Sequence, residues 1–280
     1  MIVVIGATGT IGREVVALLA NTGAAVGAIT RTPAAARLPA GVRVIEGDPG
    51  APSIPETAWN GAEAVLLSSR ALVTTAPELL AAAARHGARR VVVVSASSVE
   101  YPVGEPRFRA GFERVERAAT ESGLAWTLLR CTDFAANALS WAPQIRAGDV
   151  VRGAYGAAAA SPIHQRDVAE VAVRALTEDG HAGRSYLLSG PRSLTQRARV
   201  RLIGDVIGRE LSFLELPPGR VRAAMSAQGL PEEIVARALG SLAGYAETPG
   251  PTTDTVARLL GRPALDFTTW AEDYASAFES

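Results

Sequence analysis

The sequence predicts an α/β protein, a doubly wound parallel sheet followed by a smaller, mainly helical C-terminal lobe. Three observations carry that expectation. Short β-branched runs alternate with alanine-rich helical stretches through the first half of the chain, the pattern of a parallel sheet covered on both faces. A glycine-spaced turn, Gly6-Ala7-Thr8-Gly9-Thr10-Ile11-Gly12, joins the first apolar run to the first helical stretch. Beyond about Asp149 the rhythm changes, and glycine and proline gather at Gly190-Pro191, Pro217-Pro218-Gly219 and Thr248 to Pro251.

In order, strands are expected at Ile2 to Ile5, Ala25 to Thr30, Arg43 to Glu46, Ala64 to Leu67, Arg90 to Val94 and Trp126 to Leu129. A helix from Thr10 to about Asn21 ends at Thr22-Gly23, and another from about Pro77 to His86 ends at Gly87, each with the glycine that suits the residue past a helix end. Leu79, Leu80 and Ala83 share a face of the second helix, while Arg85 and His86 complement the dipole of its last turn. The later part reads as isolated strands, Tyr186 to Leu188 and Leu211 to Leu214, between longer helices. Asp167-Val-Ala-Glu170 has capping-box spacing, which starts a helix at Asp167 that runs to about Thr177. Residues 1–150 are taken as one domain and 151–280 as the smaller lobe, interleaved with the sheet, the two folding together around a cleft.

Composition excludes several chemistries. The 280 residues carry 28 basic and 28 acidic side chains, and every basic one is arginine. With no lysine there is no Schiff base, no lysine general base, no P-loop lysine and no Tyr-x-x-x-Lys proton relay. Zero net charge argues against a nucleic-acid partner, which calls for a basic surface. At 48% hydrophobic and 20% charged the chain belongs with globular rather than disordered sequences. One cysteine, Cys131, and three scattered histidines supply neither an internal disulfide nor a metal cluster. The start of the chain lacks the basic region and cleavage site of a secretory signal, and no apolar run approaches the ~20 residues that span a bilayer, so no membrane partner is expected. A cytoplasmic location follows as the expectation. Arginine in place of lysine, with heavy alanine use, points to a GC-rich bacterial coding sequence.

The glycine turn is the strongest signal. Between a strand and a helix, glycines permit the sharp turn, the close approach of a pyrophosphate and tight helix–strand packing, while the helix N-terminus offers free amides to the phosphates. Gly6, Thr8, Gly9, Thr10, Ile11 and Gly12 are therefore candidate dinucleotide contacts in a Rossmann domain. A site for NAD places Asp or Glu about 20 residues on, at the adenosine ribose, whereas a 2′-phosphate repels that carboxylate and favours arginine. Here the position reads Ala28-Ile29-Thr30-Arg31-Thr32, with no acidic residue between Glu14 and Glu46. Arg31 fits a 2′-phosphate, and NADP(H) is the expected cofactor.

These features, with Gly47-Asp48, Ser95-Ala96-Ser97-Ser98, the run from Ser122 to Arg130 leading to Phe134 and Asn137, Pro162-Ile163-His164 to Asp167-Val168-Ala169, and Ser189-Gly190-Pro191, resemble the NmrA-like branch of the atypical short-chain dehydrogenases/reductases over nearly the whole chain. The resemblance implies that Asp48 contacts the adenine, that Ser68, Ser69 and Arg70 line the cofactor, and that Ser95 lies near the nicotinamide ribose. Asp48 before Pro49-Gly50 also suits a simple turn, and serines at strand ends often satisfy local backbone. The wider superfamily moves a proton through a tyrosine and a lysine four residues on. Counting back from Glu116, those positions fall on Phe108 and Phe112, and none of the five tyrosines has a basic residue four places later.

Two other side chains are candidates for chemistry. Tyr101 follows the fifth strand and could offer a hydroxyl, or pack its ring before Pro102. His164 is titratable, although a lone histidine beside an isoleucine is more often packed. Cys131 reads as small buried filler, and Phe108, Phe112, Phe134, Trp141 and Tyr155 as pocket wall or core. The leading expectation is an NADPH-dependent reductase of a small organic substrate such as a quinone, an imine or a secondary-metabolite intermediate. A non-catalytic NADP(H) sensor and a repurposed cyclase or isomerase stay open, as does a homo-oligomer.

Overall fold

The structure, a computed structural model, describes residues 1–51, 54–68 and 74–279. Strand β1 (Ile2–Ile5) turns through the glycine loop into α1 (Thr10–Asn21), which stops before Gly23 at φ +76°. β2 (Val26–Thr30), β3 (Arg43–Glu46) and β4 (Ala64–Ser68) follow, then α2 (Ala76–Arg85), closed by Gly87 at φ +98°, and β5 (Arg90–Ala96). Helix α3 (Pro106–Thr120) leads to β6 (Ala125–Cys131), α4 (Ala142–Ala147), β7 (Val150–Gly153) and β8 (Ala159–Ala160). After α5 (Gln165–Thr177) come β9 (Arg184–Leu188), β10 (Leu194–Thr195), α6 (Gln196–Ile207) and β11 (Ser212–Glu215). The chain closes with α7 (Pro218–Ala227), α8 (Glu232–Glu247), α9 (Thr255–Leu260) and α10 (Phe267–Asp273).

Two compact units result. The first comprises Met1–Val99, Ala110–Cys131 and Gln165–Leu188. It holds a sheet in the order β3-β2-β1-β4-β5-β6-β9, every neighbouring pair parallel. The order reverses at β1 and β4, which marks the switch point of a doubly wound fold. Strand side chains alternate between the faces. Val3, Ile5, Val65, Leu67, Val91, Val93 and Leu128 pack with Trp59, with Leu79, Leu80 and Ala83 of α2, and with Val115, Ala118 and Ala119 of α3. On the other face α1 lies against β1 and β2 and beside α5, which covers β4, β5 and β6. Burial on both faces explains why these strands are continuous apolar runs rather than alternating ones.

Two expectations are corrected. The segment around Tyr186 is not an isolated strand: β9 joins the main sheet as its seventh member, with Leu129↔Tyr186 and Cys131↔Leu188 in register. Its partner β6 lies far away in sequence, so periodicity alone gave no pairing. Helix α5 begins at Gln165, directly after the Phe134↔Ile163 bridge, so Asp167 is a fully buried residue of the first turn rather than the cap. An acidic residue there still suits the helix dipole.

The second unit comprises Glu100–Arg109, Thr132–His164 and Ser189–Ser280. It is mainly helical, with β11 parallel to β7 and β10 antiparallel to β8. Its core gathers Ile145 of α4, Val151, Val200 and Ile203 of α6, Leu211, Phe267, Trp270 and Phe278. Trp270 is fully buried, its ring centroid 5.2 Å from Phe267 and 5.2 Å from Tyr274, both stacked, with Phe278 edge-on at 6.1 Å. Among the described residues no helix is long and apolar enough to cross a membrane. Replacing the central indole leaves a cavity the surrounding rings cannot refill. Trp270→Ala is expected to cost about 3–5 kcal/mol, read as a fall in the urea midpoint followed by circular dichroism.

Candidate active site

The glycine loop is built around one backbone contact. Gly6 turns at φ +84°, its carbonyl accepts from Gly9 N at 3.0 Å, and α1 begins at once. A Cβ on Gly12 would fall 2.1 Å from Gly6 O and 2.7 Å from Gly6 C, so only hydrogen fits there. Gly9 is the N-cap and supplies no capping side chain, and the first turn holds no acidic residue. The amides at this helix end therefore face the loop without an internal carboxylate, the electrostatics that suit a pyrophosphate. Gly9 and Thr10 are exposed, Thr8 and Gly6 half-buried, and Ile11 and Gly12 buried. Arg13 fastens the arrangement: its guanidinium donates to Thr8 O at 3.4 Å, Ala36 O at 3.2 Å and Arg37 O at 3.1 Å. Sequence reading passed over Arg13, although its place one residue after Gly12 was a visible signal.

At the end of β2, Arg31 is exposed, and Thr30 accepts from Thr32 N through its hydroxyl at 3.3 Å. The neighbouring end of β3 carries Glu46 in register with Thr30. Asp48 accepts from Gly50 N at 2.9 Å, the turn that its place before Pro49-Gly50 suggested. Thr75 reaches the same turn, donating to Pro49 O at 2.5 Å. Ser68 ends β4 in register with Val94, while Ser69 and Arg70 lie outside the described residues.

Ser95, near the carboxyl end of β5, is 4% exposed and donates to Glu116 Oε1 at 2.6 Å. Glu116 also pairs with Arg130 of β6, at 2.7 Å from Nη2 to Oε2. Phe108, Phe112 and Glu116 follow at four-residue spacing along α3, which puts them on one helix face. The Phe108 ring lies 4.7 Å from the Arg107 guanidinium and 5.9 Å from that of Arg237. Sequence reading used Glu116 only as a landmark, because nothing local marks its partners.

In the second unit, Tyr101 is 46% exposed and lines a hollow of about 480 Å³ with Pro102, Arg109, Tyr245 and Pro249. His164 is 1% exposed, its Nε2 3.2 Å from Asp273 Oδ2. Its ring is thus packed and partnered, not presented at a surface. Cys131 is buried, and desolvation pushes its thiol far above the ordinary range.

A family model described as NAD(P)H-binding fits residues 6–179, from the glycine loop to the end of α5. The chain belongs to that family. Within it the chain is of the NmrA-like atypical short-chain dehydrogenase/reductase type. It is 39% identical, over 99% of both chains, to a (4-alkanoyl-5-oxo-2,5-dihydrofuran-3-yl)methyl phosphate reductase of Streptomyces griseus. It is 32% identical, again over 99% of both, to an NAD(P)H azoreductase of Xenophilus azovorans. The crystal structure of an NADPH-dependent quinone oxidoreductase from Escherichia coli superposes with a TM-score of 0.82 at 26% identity, covering 98% of this chain and 99% of the other. The chain is an NAD(P)H-dependent oxidoreductase.

Two outcomes test the site as described. Gly12→Ala forces the Gly6 carbonyl to move, so it is expected to cost about 1–3 kcal/mol of stability and to weaken NAD(P)H binding about tenfold or more, measured by thermal unfolding and by titration. Cys131 is expected to resist an aqueous thiol reagent in the native protein and to react once guanidinium unfolds it.

Proposed function

We propose that this oxidoreductase uses NADPH to reduce an electron-poor conjugated double bond in a small organic molecule, of the butenolide, quinone or azo type. Bound NADPH supplies the hydride. The chain's own part is to hold the dinucleotide and orient the acceptor. The Gly6–Gly12 loop, with Thr8, Thr10 and Ile11, receives the pyrophosphate. Arg31 binds the 2′-phosphate and Asp48 borders the adenine, and Ser68, with Ser69 and Arg70 outside the described residues, is a further cofactor contact by the resemblance. Tyr101 is the polar side chain we place nearest the substrate, at its hollow in the second unit, as a hydrogen-bond donor rather than a base. His164, packed against Asp273, supports the site structurally. The location is a bacterial cytoplasm, in keeping with the lysine-free composition and the bacterial relatives.

The observation that carries this reading is the uncapped, acid-free N-terminus of α1 packed against Gly6, in a chain 39% identical throughout to a reductase of an unsaturated lactone phosphate. The acceptor class follows from what the chain lacks. By the resemblance, Phe108 and Phe112 take the places of the superfamily's proton relay, so the favoured acceptors are those that spread the incoming negative charge onto a heteroatom and need no strong fixed acid. Rate enhancement then rests on proximity and orientation. The S. griseus relative's named substrate combines such a double bond with a phosphate and an alkanoyl chain, which makes it the first compound to assay.

NADPH consumption and product formation should be followed together against an alkanoyl butenolide phosphate, a benzoquinone and an azo dye. Equal amounts of product and oxidised cofactor with at least one of them are expected. Tight binding without turnover would point instead to a sensor, and product without NADPH loss to a cyclase or isomerase. For the cofactor itself, Arg31→Ala should weaken NADPH binding about 10- to 100-fold, the loss of a charge-assisted contact, and leave NADH binding nearly unchanged. Equal NADPH affinity in wild type and variant would sink the 2′-phosphate assignment.

A further inference from the structure

Ser95 and Glu116, both buried, and the partly buried Arg130 form a polar cluster that the proposed chemistry does not use. Ser95 and Arg130 are register partners on β5 and β6, and Glu116 reaches both from α3. Arg130 grips the carboxylate with two prongs, Nε to Oε1 at 3.1 Å and Nη2 to Oε2 at 2.7 Å, and Ser95 Oγ donates to Oε1 at 2.6 Å. Glu116 is 6% exposed, and the strands around it are the apolar runs Val91 to Val94 and Leu128-Leu129. A buried ion pair adds little net stability over an apolar filling of the same space. Stability is therefore a poor reason for this cluster to stand in this core.

Its geometry fixes a polarity. A serine hydroxyl has one proton and two lone pairs, and here the proton is committed to Oε1. Toward any third group Ser95 offers lone pairs only. It is therefore not the proton donor to a reduced substrate, and whatever it binds must be a hydrogen-bond donor. In a doubly wound sheet with the pyrophosphate at the N-terminus of α1 and the adenosine at the end of β2, the second nucleotide lies outside the carboxyl ends of the other half, β4, β5 and β6. The phosphate of that nucleotide offers acceptors only. Its nicotinamide riboside offers donors, the ribose hydroxyls and the carboxamide N–H groups.

We propose that Glu116 is a positioning residue: clamped by Arg130, it holds Ser95 as an acceptor for a hydroxyl or amide donor of the nicotinamide riboside. This rests on the NADPH reading above, and the experiment separates the two. NADPH and 2′,5′-ADP, which carries the adenosine and 2′-phosphate but no nicotinamide riboside, are titrated calorimetrically into wild type, Ser95→Ala and Glu116→Gln. Both variants should bind NADPH about 3- to 10-fold more weakly, the loss of one hydrogen bond, and bind 2′,5′-ADP within about twofold of wild type. Equal weakening of the two ligands would mean that the cluster only supports the fold, and unchanged NADPH affinity would mean that it touches nothing; either overturns the proposal. A wild type that binds neither ligand overturns the NADPH reading instead. Should Glu116→Gln fail to fold, Ser95→Ala decides alone, because it removes the acceptor and leaves the Arg130–Glu116 pair standing.

Discussion

The first unit depends on the contact between Gly12 and the carbonyl of Gly6. A helix that starts directly after a strand must tuck its first turn against the strand's last residue, and here that distance admits no side chain at all. Because it is met, α1 lies back over β1 and β2 and beside α5, and its free amides end at the switch point between β1 and β4. The turn at Gly6 serves the same approach, since only glycine takes a φ of +84° without strain. Arg13 then ties the glycine loop to the chain after β2, at Ala36 and Arg37, so the two move as one piece.

Phe108, Phe112 and Glu116 follow one another along one face of α3. One turn beyond Phe112, a carboxylate held by arginine fixes the direction of a serine hydroxyl. Arginine serves this better than lysine would, because its planar fork meets both carboxylate oxygens at once.

What the sequence revealed, and what it hid, divides along the range of the interactions. β1, β3 and α1 have the expected bounds because each is marked locally: both-face burial makes Ile2–Ile5 wholly apolar, and the Gly6 and Gly23 turns bracket α1. Asp48 likewise forms the turn that its neighbours suggest. β9 was misread because its identity depends on β6, and a pairing so distant leaves no local period. Asp167 misled for a related reason. Its capping-box spacing is real, but the bridge at Ile163 starts the helix two residues early and takes the carboxylate inside. The contacts among Ser95, Glu116 and Arg130 were hidden for the same cause: the sequence marks Ser95, but only the sheet register and the helix face bring the three residues together.

The same cluster bears on which acceptors the chain can reduce. Hydride transfer to an isolated ketone builds charge on one oxygen, and that oxygen needs a proton as the charge forms. Ser95 has its proton turned toward Glu116, His164 is buried against Asp273, and Cys131 stays a protonated thiol in an apolar setting. Of the candidate donors, that leaves the half-exposed hydroxyl of Tyr101 and water. A quinone, an azo group or an unsaturated lactone moves the charge along its conjugation to a heteroatom that can face water, and protonation then follows as a separate, fast event. On the proposed function, this favours acceptors that carry their own electron sink over simple ketones.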